Sequence, residues 1–269
     1  MRSYRYVKLN PTGNLTCLVL DRTSPEDERI LTRELLKECE QVAYLEEPVK
    51  PGAVAAVRLM GGEFCGNAAM AAAAWLVRDE LAEGEEKSLL LEMSGTEEPV
   101  FCTVRKTADC YEGMVAMPPA REIREETFAG KNYTLVRMDG IVHLIYTGPE
   151  MEKQAAEELL KEAAASLPDE AAGLLQWNRE IGFLRPLVWV RGSGSLVWEN
   201  GCGSGSAAVG AAEALRAGNG TLTTEVKQPG GVINVTADTQ DGVLLSVRIT
   251  GKVKLDTETS LRAPARKAR

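Results

Sequence analysis

The fold can be predicted outward from one stretch, Met60-Gly61-Gly62-Glu63-Phe64-Cys65-Gly66-Asn67-Ala68-Ala69-Met70. An apolar run, 54–59, precedes it and is typical of a strand, while the alanine-rich segment after Cys65 favours a helix. We therefore predict a strand, a glycine-containing loop that ends in cysteine, and a helix from Asn67 to about Leu81.

The same order of features returns in the second half of the chain, as Leu196-Val197-Trp198-Glu199-Asn200-Gly201-Cys202-Gly203-Ser204-Gly205-Ser206-Ala207-Ala208. A strand-like run, a glycine and Cys202 precede small residues and a helix that we expect to end near Ala217. One such motif would be weak evidence. Two copies, one in each half, indicate an internal duplication and predict that two thiols face one pocket.

The bulk composition is that of a globular protein. A chain of 269 residues can form one large domain or two of about 100–150 residues. A net charge of −8 argues against a nucleic-acid-binding surface, which needs clustered basic residues. The sequence shows neither an apolar run of membrane-spanning length nor a signal-peptide core. We expect a cytoplasmic protein with no nucleic-acid or membrane partner.

The cysteines favour free thiols. There are six of them and a single histidine, with no Cys-x-x-Cys pair, so we expect no metal site. The sequence also lacks a recognisable lysine signal for pyridoxal phosphate, and we expect no cofactor. Four thiols lack the glycine-and-helix context, and we interpret them as structural: Cys17, Cys39, Cys102 and Cys110.

The predicted fold class is α+β. Each half follows the order strand, helix, strands, cysteine, helix, strands, and strands outnumber helices. This pattern favours two pseudo-symmetric domains, each a curved, mainly antiparallel sheet or barrel around a central helix. We place the domains at 1–117 and 118–254, with 255–269 crossing back to the first.

A cysteine placed before a helix is suited to proton transfer. A helix N-terminus carries unpaired N–H groups and about half a positive charge, which acidifies a thiol and attracts a carboxylate. Two such ends could hold an amino acid's carboxylate between them, with one sulfur on each face of the α-carbon. One thiolate would remove the α-proton and the opposite thiol would return one, which is racemisation.

Several motifs resemble a known superfamily, the cofactor-independent racemases and epimerases typified by diaminopimelate epimerase, with proline racemases and PhzF-type isomerases as relatives. They are Lys8-Leu9-Asn10-Pro11-Thr12-Gly13-Asn14, Cys65-Gly66-Asn67, Met117-Pro118-Pro119, Cys202-Gly203-Ser204-Gly205, Gln228-Pro229-Gly230-Gly231 and Thr250-Gly251. The resemblance implies that each domain has the diaminopimelate epimerase-like fold. It also implies that Cys65 and Cys202 are the acid–base pair and that Asn14 contacts substrate.

The departures from that pattern concern the substrate. Diaminopimelate epimerases have an asparagine nine residues before the first cysteine and a Glu-Arg pair nine and eight residues before the second. Ala56, Ser193 and Gly194 stand there in this chain, which argues against diaminopimelate. Three segments look most similar to the histidine racemases of staphylopine-type metallophore synthesis, which implies L- and D-histidine as substrates: 10–14, 40–42 and 62–68.

The candidate substrate-binding residues are Asn14, Gln41, Gly66, Asn67, His143, Glu199, Gly203 and Ser204. Each polar member also has a purely structural interpretation. Asn14 can favour a left-handed turn, Gln41 can be an exposed strand residue, and Asn67 can hold its loop. Glu199, like Glu63, can cap the following helix, and His143 can be a satisfied core residue.

Several functions stay open. The enzyme could epimerise diaminopimelate or racemise another α-amino acid. A PhzF-like isomerase would use a carboxylate, and then Glu63 would matter more than the cysteines. A non-catalytic amino-acid-binding protein or a redox protein with two facing thiols are further alternatives. The expected partner is a small amino acid, and the oligomeric state is open, with a homodimer among the alternatives.

Overall fold

The computed structural model describes residues 2–192 and 194–263. Within these ranges the strands are β1 (Arg2–Pro11), β2 (Thr16–Val19), β3 (Gln41–Glu46), β4 (Ala55–Leu59), β5 (Glu86–Met93), β6 (Val100–Lys106), β7 (Tyr111–Ala116), β8 (Glu122–Phe128), β9 (Lys131–Met138), β10 (Ile141–Tyr146), β11 (Ala171–Asn178), β12 (Phe183–Val190), β13 (Ser195–Trp198), β14 (Gly220–Gln228), β15 (Gly231–Gln240), β16 (Val243–Leu255) and β17 (Thr259–Ala263). The helices are α1 (Pro25–Leu35), α2 (Gly66–Val77), α3 (Lys153–Ser166) and α4 (Gly203–Ala217).

The chain divides into two compact units. In the described part of the chain, unit 1 comprises residues 2–113 and 252–263, and unit 2 comprises residues 114–251 without Ser193. These boundaries differ by a few residues from those we placed at 117/118 and 254/255. The chain changes unit inside the continuous strands β7 and β16, after Gly113 and after Gly251, and not at a loop between elements.

Unit 1 is a sheet packed on helices. β1 pairs antiparallel with β2, with β17 and with the end of β16. Antiparallel pairs also join β3 to β4 and β5 to β6, whereas β2–β3 and β4–β5 are parallel. α1 begins as predicted, because Ser24 accepts the Asp27 N–H at 3.3 Å and Pro25 occupies the first turn.

α2 is the buried helix of unit 1. Of its residues, all but Leu76 are buried, and it packs against β1, β2, β4, β5 and β6. Alanine suits this position twice over, since it has the highest helix propensity and lets the surrounding strands approach closely. β7 also approaches α2 closely at Gly113, where a Cβ would lie 2.3 Å from Met70 Cγ.

The strands of unit 2 pair in a comparable, mainly antiparallel pattern. β8–β9, β9–β10, β11–β12, β12–β13, β14–β15 and β15–β16 are antiparallel, and β10–β11 is parallel. α3 packs on one cluster of core residues that includes Leu144, Leu160 and Leu187. α4 is mostly buried and packs on β9, β10, β11, β14 and β15.

None of the helices in the described ranges is both long and apolar enough to cross a membrane.

Candidate active site

Cys65 is the N-cap residue of α2. Its backbone is extended, with φ −137° and ψ 111°, and its Sγ accepts the Ala68 N–H at 3.5 Å. The side chain is half-buried. The first helical residues, Gly66 and Asn67, are buried, and the positive end of the helix therefore lies beside the sulfur.

The loop that delivers Cys65 is held from β5. Ser94 Oγ accepts the Leu59 N–H at 2.9 Å and donates to Glu63 O at 2.7 Å. Next to it, Gly95 has φ 74°, and a Cβ there would lie 2.3 Å from the Phe64 nitrogen. Only glycine fits this close approach, which fixes the path of the chain into the cysteine.

Cys202 repeats this arrangement at the start of α4. It is the N-cap with φ −111° and ψ 108°, and its Sγ accepts the Gly205 N–H at 3.2 Å. A Cβ at Gly205 would lie 3.0 Å from that sulfur and 2.9 Å from Leu175 Cδ2. A side chain at Gly205 would therefore crowd both the thiol and Leu175.

A histidine and a serine adjoin the second thiol. His143 of β10 is fully buried, and its Nε2 lies 3.0 Å from Ser204 Oγ, which is 3.6 Å from Cys202 Sγ. Gly173 lies opposite His143 in β11, where a Cβ would be 2.3 Å from Nδ1. The parallel pairing of β10 and β11 thus makes room for an imidazole that contacts the N-terminus of α4.

The electrostatics of this group favour neutral side chains. Burial raises the pKa of the Cys202 thiol well above its ordinary value, and the charge of Glu199 adds to this increase. The Ser204 hydroxyl and the Gly205 N–H act in the opposite direction. Burial lowers the pKa of His143 to about 3. These shifts favour the protonated thiol at Cys202 and an uncharged imidazole at His143, which can bond to the serine hydroxyl.

Asn14 and Gln41 belong to one buried cluster in unit 1. Thr16 connects them, since its Oγ1 donates to Asn14 O at 3.1 Å and accepts from Gln41 Nε2 at 2.7 Å. The turn before β2 takes its positive φ angles at Thr12 and Gly13. Asn14 is therefore not needed there as a left-handed residue, and Gln41 is buried, not exposed.

The predicted residues thus fall into separate local groups. Cys65, Gly66 and Asn67 form the start of α2, and Cys202, Gly203 and Ser204 form the start of α4. Ser193 lies outside the described residues.

Two glutamates precede the cysteines. Glu199 adjoins Cys202, as its effect on the thiol pKa shows. Burial raises the pKa of Glu63, partly offset by the N–H groups of Glu63 itself and of Gly61. Its side chain folds back on its own loop, since a Cβ at Gly61 would lie 2.4 Å from Glu63 Oε2.

Sequence reasoning missed the supporting contacts of Thr16, Ser94, Gly173 and Gln228. Each contacts a residue that is distant along the chain. Spacing along the chain carries no signal for such contacts.

The fold is that of amino-acid racemases and epimerases. A solved structure of a probable proline racemase from Agrobacterium radiobacter K84 superposes with a TM-score of 0.73 at 14% identity, covering 97% of this chain and 93% of that one. The chain thus has a mixed, sheet-rich α+β fold. Its sequence similarity to curated histidine racemases makes it an isomerase of the racemase and epimerase class.

The family follows from the sequence comparisons. The family described as histidine racemase CntK N-terminal domain matches residues 3–261, and the chain belongs to it. It is 28% identical over 244 residues to a histidine racemase of Staphylococcus aureus (strain Mu50 / ATCC 700699), covering 86% of this chain and 88% of that protein. A diaminopimelate epimerase of Xanthomonas euvesicatoria pv. vesicatoria is 26% identical over 259 residues, covering 86% of this chain and 88% of that protein. The predicted superfamily and the resemblance to histidine racemases are confirmed.

Proposed function

We propose that this chain racemises L- and D-histidine through Cys65 and Cys202, without a cofactor. The observation that carries the proposal is a repeated one. In each unit a cysteine caps a buried helix, and its sulfur accepts an N–H from the first turn of that helix. Histidine is the proposed substrate because the chain belongs to a histidine racemase family and is similar to the Staphylococcus aureus enzyme.

The proposed mechanism assigns different starting states to the two thiols. Cys202 begins protonated, because burial and Glu199 raise its pKa. Cys65 is then the thiolate that removes the α-proton in that state, and Cys202 delivers its proton to the opposite face of the carbon. The product leaves the roles exchanged, so that the other enantiomer reacts in reverse. Helix N–H groups at both cysteines stabilise the substrate carboxylate and the charge of the carbanion.

We further propose that the two units are pseudo-symmetric copies of one diaminopimelate epimerase-like domain, each a curved sheet or barrel around α2 or α4. The support is the shared order of strand, loop, N-cap cysteine and buried helix. On this proposal the duplication supplies the two opposite-handed proton positions that racemisation requires.

Asn14, Gln41, Gly66, Asn67, His143, Glu199, Gly203 and Ser204 are proposed to surround the substrate. The residues at the helix starts would supply N–H groups to the substrate carboxylate. The buried side-chain amides of Asn14 and Gln41 would orient the rest of the substrate. The uncharged His143, through Ser204, would hold the Cys202 side chain in place.

The test is α-deuterium incorporation in heavy water. The L-forms of the protein amino acids and LL-diaminopimelate are incubated with the full chain, and the α-deuterium and the inverted form are measured. Histidine should exchange and invert fastest. Faster exchange and inversion of another amino acid would contradict histidine as the substrate. Tight binding of histidine without α-deuterium exchange would indicate a binding protein.

The cysteine variants test the mechanism. C65A and C202A should each lower kcat by about 10²–10⁴-fold or more, since each removes a general acid–base group. C102A is the matched control, because Cys102 is a buried thiol on β6 that caps no helix. E63Q tests the PhzF-like alternative, in which a carboxylate moves the proton. Full activity in C65A or C202A, together with loss of activity in E63Q, would contradict the two-thiol mechanism and support the carboxylate mechanism.

A further inference from the structure

The turn between β14 and β15 supports the loop that carries Cys202. Gln228 is the last residue of β14, and it pairs with Gly231, the first of β15. Between them, the Gly230 N–H donates to Asn200 O at 2.7 Å, two residues before the cysteine. The turn therefore contacts the loop directly through its backbone.

The Gln228 side chain then connects both peptide groups of Cys202. Its Oε1 accepts the Cys202 N–H at 2.7 Å, and its Nε2 donates to Ser206 Oγ at 2.9 Å. Ser206 Oγ in turn donates to Cys202 O at 2.7 Å. Gln228 is 4% exposed and Ser206 is fully buried, so water does not compete for these bonds.

The supporting turn is itself rigid. Pro229 restricts its own backbone, and the two-residue connection closes a long antiparallel ladder between β14 and β15. The Lys227 N–H also donates to Gly182 O at 2.9 Å, which ties the end of β14 to the segment before β12. The Gln228 side-chain amide is thus held in place, and it fixes the φ and ψ angles of Cys202, the N-cap residue of α4.

We propose that Gln228 is a positioning residue that aims the Cys202 thiol. The proposal rests on the proposed catalytic role of Cys202. With its N–H and its C=O both held, the cysteine keeps the extended conformation that places Sγ over the Gly205 N–H at 3.2 Å. Without Gln228, the backbone of Cys202 loses one partner directly and Ser206 loses its orienting donor.

The central test compares two substitutions with a matched control. Q228L removes both bonds and should lower kcat about 10- to 100-fold, because small displacements of a reacting group cost this much. KM for histidine should change by less than roughly threefold, since the step affected is proton transfer and not binding. Q176L is the control. Gln176 is also a buried amide of unit 2, but its Oε1 accepts the Met151 N–H at 2.7 Å and not a group of α4. The Tm of Q176L should fall as that of Q228L does, while its kcat should be unchanged.

Q228E provides a readout that a merely structural residue would not give. A protonated carboxyl can accept from Cys202 N–H and donate to Ser206, as the amide does, whereas a carboxylate can only accept. Burial should raise the pKa of the new carboxyl toward neutrality. The kcat of Q228E relative to the parent should therefore be near one at pH 6 and fall as the pH rises to 9.

Hydrogen exchange separates this proposal from the proposed function. The Cys202 amide should exchange faster in Q228L than in the parent or in Q176L, whether or not Cys202 is catalytic. Turnover by C202A would show that Cys202 is not catalytic. The exchange result would still show whether Gln228 holds the backbone of Cys202. Unchanged exchange at Cys202, a parent-like kcat in Q228L, an equal loss of kcat in Q176L, or a pH-independent Q228E ratio would each overturn the positioning role.

Discussion

At the scale of single residues, Gly205 contacts both the core residue Leu175 and the thiol of Cys202. G205A would place a methyl group 3.0 Å from Cys202 Sγ and 2.9 Å from Leu175 Cδ2. Both distances are shorter than ordinary contacts, so the leucine must shift and the thiol must give by a few tenths of an ångström. We expect kcat to fall by about tenfold or more, because a displaced thiol transfers protons poorly.

The control for G205A is G192A. A Cβ at Gly192 meets nothing within 4 Å, and the residue does not need a positive φ. Alanine there should leave kcat and Tm unchanged. Steady-state racemisation rates and thermal unfolding check both variants, and a fully active G205A would show that the thiol can be displaced without cost.

His143 should make the stability of the protein depend on pH. Its pKa is lowered by burial to about 3 in the folded state and is about 6.5 when unfolded. Between these values the unfolded chain binds one more proton, so the free energy of unfolding rises with pH and this contribution is complete above about 6.5. The slope from one proton is at most about 1.4 kcal/mol per pH unit.

Replacing the histidine isolates that contribution. His143 is the single histidine of the chain, and H143Q keeps a side-chain donor for Ser204 while removing the titration. Urea unfolding at pH values from 4 to 8 should give a shallower pH dependence for H143Q than for the parent. Parallel curves would mean that the folded state tolerates a charged imidazole at this position.

At the scale of secondary-structure elements, the two cysteine-capped helices were the most predictable part of the molecule. α2 begins at Gly66 and α4 at Gly203, directly after the predicted cysteines, because glycine-rich loops followed by small helix-forming residues allow few other structures. α4 ends at Ala217 as expected, but α2 ends at Val77, four residues before the predicted Leu81.

Other elements lacked a comparable local signal. β8 is a strand rich in charged residues and has no buried position, so its sequence shows little apolar alternation. β11 begins in the segment 171–175, where small and apolar residues suit helix or strand alike, and its parallel pairing with β10 depends on distant residues. The same holds for the site: His143 could be proposed from a resemblance, but its contact with Ser204 required the register of β10 against β11.

At the scale of the whole molecule, the C-terminal segment completes the sheet of unit 1. β17 pairs along β1, with Tyr4 opposite Leu261, and Leu261 packs on the core cluster that contains Tyr4 and Tyr6. The chain must therefore return from unit 2 before the edge of β1 is covered. Without β17, residues 2–6 of β1 would expose backbone N–H and C=O groups.

A pair of truncations tests this dependence. Ending the chain after Leu255 removes β17, whereas ending it after Ala263 keeps the strand and serves as the control. In the shorter protein we expect the amides of residues 2–6 of β1, which pair with β17, to exchange with solvent at least about tenfold faster, equivalent to about 1.4 kcal/mol. The amides of β14 and β15 in unit 2 should keep their exchange rates, because their ladder is formed within residues 220–240. Equal acceleration in both units would show that β17 stabilises the molecule as a whole, and unchanged β1 amides would show that its pairing with β17 contributes nothing to the stability of unit 1.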